Sequence, residues 1–199
     1  RFPFASKNAT TLELGEVFYP ILGGTLGLGD ALEARKNTEL VLPGTLELQR
    51  AKIFHTFESF SWLGVIGPEQ YYGYPDQLSM PWMELSQPAL KRSVYFGAHD
   101  PVVRTKAVHL EMSPGIAGQR AEGNWPRPDE LAGLPAGVKM CFVHFPYQPA
   151  GRDFEASPVV LCFHDGDWRE GAGIYRDWLA SQGGLDGPRG EWPYRTPAF

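Results

Sequence analysis

SMPWMELSQPALKRSVYFGAH, residues 79–99, reads as two short strands on either side of a turn. Ser79–Ser86 and Ser93–His99 are rich in aromatic and β-branched residues, the composition that suits a pleated, half-buried surface. Between them Gln87-Pro88-Ala89-Leu90 has proline where a type I turn takes it. Closing that hairpin sets Met83 opposite Val94 and Trp82 opposite Tyr95. Side chains alternate along a strand, so Met83, Val94 and Phe96 share one face, while Trp82, Glu84, Ser93 and Tyr95 share the other. The first set reads as core. The second is half polar and carries two large rings, which marks it as the face to watch.

Working outward, Thr105–Met112, Val138–Phe145 and Pro158–Phe163 repeat the pattern: short, apolar or aromatic, and bounded by Pro, Gly or Asp. Thr11–Tyr19, Glu39–Leu42, Thr45–Phe57 and Trp62–Ile66 are further strand candidates with weaker boundaries. Strands in this number without helical patterns between them predict an antiparallel β-sandwich or barrel rather than a parallel α/β sheet. One helix is expected. Asp167 caps it and Trp168, Ala172, Tyr175, Trp178 and Leu179 recur at helical spacing. Glu170 stands three residues after the cap, and Gly183-Gly184 closes the run. Gly171 and Gly173 each cost about 1 kcal/mol relative to alanine, so this helix needs tertiary support. The division expected is a sandwich over 1–166 and a helix plus linker over 167–199. Gly118–Gly137 is a long polar excursion, of the kind that is functional or mobile.

Composition narrows the classes. The chain is 43% hydrophobic and 13% aromatic, enough for a packed core. Its net charge is −5, and no basic run exceeds Ala34-Arg35-Lys36 or Leu90-Lys91-Arg92, which argues against a nucleic-acid surface. No apolar stretch approaches the roughly 18 residues of a membrane span, so no membrane partner is expected. Arg1-Phe2-Pro3-Phe4 reads as mid-domain sequence rather than a targeting signal, leaving localisation open.

An ordered series of short motifs carries a family likeness. Tyr74-Pro75 is followed by Met80-Pro81-Trp82-Met83-Glu84-Leu85, then by Val94-Tyr95-Phe96-Gly97-Ala98-His99-Asp100-Pro101 with Arg104 and Lys106. Phe145-Pro146-Tyr147, Ser157-Pro158, Gly166-Asp167-Trp168 and Tyr175-Arg176-Asp177-Trp178 come after. Across residues 70–180 this resembles the galactose-mutarotase-like β-supersandwich of bacterial glycoside-hydrolase-like proteins, in which the sandwich precedes a catalytic (β/α)-barrel. The resemblance implies an accessory, non-catalytic domain that packs on a barrel of the same parent protein. That barrel would supply the catalytic carboxylates, and the helix at Asp167 would lead into it. The strand count falls short of an intact supersandwich, so the fold is expected to be incomplete at its N-terminal side.

The candidate carbohydrate-binding residues are Trp82, Tyr95, His99, Asp100 and Arg104. Flat amphipathic rings suit the apolar face of a pyranose, so Trp82 and Tyr95 form a possible stacking platform; the plain alternative is that they face a second layer. His99, Asp100 and Arg104 cluster at one loop as hydroxyl ligands, or else form a turn with a local ion pair. No catalytic pair can be assigned among the 23 acidic residues, and no cofactor or metal is expected. If residues 138–145 and 158–163 pair as a hairpin, Cys141 falls opposite Cys162, as a disulfide or as two buried thiols. A zinc site there would recruit His164 but lack a fourth ligand. Gly23–Asp30 lacks the Lys-Ser/Thr of a phosphate loop and reads as a turn. Two rivals remain. One is a self-contained mutarotase, with His99 or His109 and Glu84 or Glu111 as acid and base. The other is a purely structural or interaction module.

Overall fold

The computed structural model describes residues 10–13, 15–25, 27–29, 37–52, 69–113 and 137–183. The expected strands Trp62–Ile66, the end of Thr45–Phe57, the Gly118–Gly137 excursion and the linker beyond the helix lie wholly or mainly outside these residues. In chain order the strands are β1 Leu12–Glu13, β2 Val17–Thr25, β3 Glu39–Pro43, β4 Leu48–Lys52, β5 Glu69–Tyr74 and β6 Trp82–Gln87. Then follow β7 Arg92–Ala98, β8 Lys106–Ser113, β9 Gly137–His144, β10 Tyr147–Gln148 and β11 Val159–Asp165, with helix α1 Trp168–Ser181 last.

Two antiparallel sheets make the sandwich. One has five strands in the order β11-β7-β6-β3-β4 and the other four in the order β2-β9-β8-β5, with β1 and β10 as a small separate pair. The expectation of an all-β antiparallel sandwich with one C-terminal helix therefore holds. Between the sheets lie Leu40, Leu42, Met83, Leu85, Val94, Phe96 and Ala98 from the five-stranded side. Val108, Leu110, Met140 and Phe142 meet them from the other. Phe96 and Phe142 touch across the gap with ring centroids 5.1 Å apart.

The β6–β7 hairpin keeps its expected faces but not its expected register. Met83 pairs with Phe96 and Glu84 with Tyr95, two residues from the pairing read off a tight turn. The connection is longer by Leu90 and Lys91, the second of which adopts a left-handed φ of 50°. Its carbonyl accepts from Gly166 N at 2.7 Å, an external tie that helps hold this conformation. A slip of two leaves side-chain parity unchanged, which is why the core assignment survives it.

The β9–β11 hairpin does not form. β9 pairs with β2 and β8, whereas β11 pairs with β7 in the opposite sheet. Cys141 and Cys162 are thus free thiols on different sheets, and the reading that set them opposite each other is corrected.

Helix α1 lies on the outer face of the five-stranded sheet. Asp167 caps it by accepting from Arg169 N at 2.9 Å, and Gly183 ends it at φ 72°, donating to Ala180 O. Trp168, Ala172, Ile174, Tyr175, Trp178 and Leu179 pack with Val41, Trp82 and Tyr95 into a second apolar cluster. This burial is the tertiary support that a helix with two interior glycines requires.

Candidate functional site beneath the helix

The polar–aromatic face singled out from the hairpin is roofed by α1. Tyr95 and Gly97 on β7, and His99 just past its end, stand at alternate positions and so on one face. The Tyr95 ring lies flat along the strand over Gly97, where an added Cβ would sit 2.0 Å from the Tyr95 hydroxyl. That posture delivers the hydroxyl to His99 Nε2 at 2.9 Å. His99 in turn stacks on Trp178 of the helix, with centroids 4.7 Å apart and planes 23° apart, and meets Tyr175 edge-on. Trp82 flanks Tyr95 at 6.1 Å.

Glu84 is the charged member of this face and is fully buried. Its Oε2 meets His164 Nε2 at 3.3 Å, while Oε1 finds no hydrogen-bond donor among the described residues. Burial raises the Glu84 carboxyl above its ordinary value, an effect that the neighbouring Ser93 and His164 side chains partly offset. Gly171 sits directly above: a Cβ there would fall 1.6 Å from Glu84 Oε2. Burial also lowers the His99 imidazole below its ordinary value and pushes the Tyr175 hydroxyl up to about 12.

A second knot closes the end of the sandwich. Asp100 accepts from Val102 N at 3.2 Å, Arg104 N at 3.1 Å, Lys106 Nζ at 3.1 Å and the Ser157 hydroxyl at 2.9 Å. Lys106 also donates to Arg104 O and has its side chain buried to 1% exposure. Burial alone would push the Asp100 carboxyl up, but these four donors outweigh it and hold the group below its ordinary value. The loop they brace carries Val103 at φ 55°, a conformation that costs a β-branched residue about 1–3 kcal/mol.

The five candidate residues separate accordingly. Trp82, Tyr95, His99 and Asp100 are 1%, 0%, 9% and 3% exposed, and all but the Trp82 indole N–H have partners inside the protein. The open stacking platform is therefore corrected: the rings face the helix, not solvent, because α1 is amphipathic and its aromatic side needs that surface. Asp100 follows the turn-with-ion-pair alternative. Arg104 alone is exposed, reaching Asp100 at 3.6 Å and Glu155 O at 3.5 Å.

On the other sheet His109 is wedged between Phe18 and Tyr71, with Cys141 Sγ 3.4 Å from its Nδ1. Burial pushes that thiol up to about 11, the reverse of what a nucleophilic cysteine needs. Among the described residues no group of three His, Cys, Asp or Glu side chains is placed to hold a metal ion.

Two members of the site escaped the sequence reading. Lys106 shares parity with Val108 and Leu110, and a lysine at a core-facing position is itself a signal of a buried carboxylate partner. The sequence offers His164 as a zinc ligand and not as a partner of Glu84, because the β7–β11 pairing that joins them spans a long sequence separation. Comparison with family models, curated proteins and solved structures finds no match to this chain.

Proposed function

We propose that this chain is a non-catalytic, helix-braced β-sandwich serving as a supporting domain of a larger carbohydrate-active enzyme. The observation that supports the non-catalytic part is the burial of Trp82, Tyr95, His99 and Asp100, the last three hydrogen-bonded inside the protein. A Tyr95 hydroxyl bonded to His99 and a carboxylate with four donors are already engaged, and the Trp82 ring is closed to a sugar by the helix above it. The association with a glycoside hydrolase is supported by the ordered motif series from Tyr74 to Trp178, in which Gly166-Asp167-Trp168 is here a capped helix start. No helix among the described residues is long and apolar enough to cross a membrane.

The test has two parts. Calorimetric titration of this chain with mono- and oligosaccharides should give no saturable heat; saturable binding abolished by Trp82→Ala at unchanged stability would overturn the reading. Intact mass of the protein from its native source should be at least twice 22.1 kDa. A native mass equal to that of this chain would leave no enzyme for it to support.

A second reading is a self-contained mutarotase. It is favoured by one observation: His99 and Glu84 share a face, each hydrogen-bonded to another ionisable group. Polarimetry on freshly dissolved glucose and galactose decides it, since accelerated rotation change would need both groups accessible beneath α1.

A further inference from the structure

The five-stranded sheet is wider than the sheet that covers it. Leu161 and Phe163 pair with Phe96 and Val94, so they point to the core side, yet they are 45% and 76% exposed. The core row simply runs out past its cover at β11. This strand is also the end of its sheet among the described residues.

Exposed sheet edges invite pairing, and proteins blunt them with charge, proline or bulges. Among the described residues three of the four sheet edges are blunted. β2 contains Pro20 and two breaks in its register with β9. β4 carries Arg50, and β5 is followed by Pro75. β11, Val-Val-Leu-Cys-Phe-His-Asp, keeps an unbroken seven-residue register with β7 and has no proline, glycine, lysine or arginine.

We propose that β11 pairs antiparallel with β11 of a second copy of this chain, about a two-fold axis at Cys162. In that register Leu161 of each copy lies opposite Phe163 of the other, and each exposed apolar side chain is covered by its counterpart. Charge selects the direction. Asp165 is the only acid in the strand, and antiparallel pairing sets it against Val159 at the far end, whereas parallel pairing would bring the two acids together. Area sets the strength. One strand and two large side chains per copy fall short of the roughly 800 Å² per partner of a standard stable interface, so the dimer is concentration-dependent.

Sedimentation from about 1 µM to about 1 mM should show the average mass rising from 22.1 kDa toward twice that value. Phe163→Lys alters a side chain that is mostly exposed, so the fold should persist by circular dichroism while the mass stays monomeric. Diamide, which takes two electrons and two protons from a thiol pair, should link wild-type copies through Cys162, which is on the paired strand and partly accessible. Cys162→Ser should abolish the link and Cys141→Ser, at a fully buried position, should not. A chain that stays monomeric without a cross-link at every concentration overturns the proposal. So does a dimer that survives Phe163→Lys, or a link that runs through Cys141.

Discussion

Gly171→Ala is the substitution that tests the helix–sheet interface most sharply, because ordinary helix physics gives the wrong sign. In an open helix position the change stabilises by about 1 kcal/mol. Here the new methyl would sit 1.6 Å from Glu84 Oε2, 2.9 Å from its Cδ and 3.4 Å from Tyr95 Cδ2. Either the helix lifts or the carboxylate swings away. Overpacking of this kind costs about 1–3 kcal/mol. Moving Glu84 off His164 adds the cost of a buried charge parted from its partner, which reaches 3–5 kcal/mol when a buried pair is broken outright. Set against the propensity gain, the net loss is about 2–4 kcal/mol. For a domain of this size that is a fall of roughly 4–16 °C in Tm. Gly173→Ala on the same helix is the control. Its nearest neighbour is Arg176 Nη2 at 3.9 Å, so it should gain about 1 kcal/mol and raise Tm by about 2–4 °C. Urea titrations followed by tryptophan fluorescence measure both. Glu84→Ala should relieve the clash, giving a coupling of at least about 1 kcal/mol in the double-mutant cycle. A Gly171→Ala protein as stabilised as Gly173→Ala would refute the docking depth on which the site rests.

Gly97→Ala should evict the Tyr95 ring from its bed and cost about 1–3 kcal/mol, read as loss of near-ultraviolet dichroism together with a lower urea midpoint. Trp82→Ala, at a residue 1% exposed, should cost about 3–5 kcal/mol with no change in any sugar titration; a stable variant would place the ring outside the core. Stability should fall as pH drops from neutrality. The folded values of His99 and His144 are lowered below 6.5, first of all by burial, so the unfolded chain takes up protons first. Asp100, lowered by its donors, contributes stability present above about 3.8 and lost as pH falls through its folded value; Asp100→Asn should remove that acid limb. Glu84 runs the other way. Its raised value means a contribution complete below its ordinary 4.5 and lost as pH rises through the folded value, so Glu84→Gln should flatten the profile on that side.

The hairpin at residues 79–99 shows what a sequence can fix and where it stops. Alternation assigned Met83, Val94 and Phe96 to the core and Trp82, Glu84, Ser93 and Tyr95 to the far face, because period 2 is a property of the backbone itself. The register differs by two because it depends on whether Leu90 and Lys91 belong to the strand or the turn, and the turn's tie to the distant Gly166 N–H has no local signal. The helix was legible almost to the residue, since Asp167, the apolar spacing and Gly183 are local signals. What that helix would cover was not. No rule of spacing says that Trp178 stacks on His99, or that β11 crosses to the other sheet from β9, because both are long-range pairings. The same gap turned a covered face into an apparent platform, since a covered and an open aromatic–polar face have the same sequence.

The covered face nonetheless differs from an ordinary second core, and the difference argues for orientation rather than mere adhesion. An apolar layer of equal volume would hold α1 at least as tightly, since burying Glu84 beside His164 recovers little beyond its desolvation cost. Apolar contacts, however, tolerate sliding. Two glycines prevent it here. Gly97 lets Tyr95 lie flat and reach His99, and Gly171 lets the helix backbone descend onto Glu84; each contact needs its glycine at one position only. His99 then joins the two elements by bonding Tyr95 on the sheet and stacking on Trp178 of the helix. A shift of α1 by one turn would break the stack, place a bulkier residue over the carboxylate and strand both buried polar groups. The polar layer thus makes one docked arrangement far better than its neighbours, which is what the proposed supporting role would require of this helix.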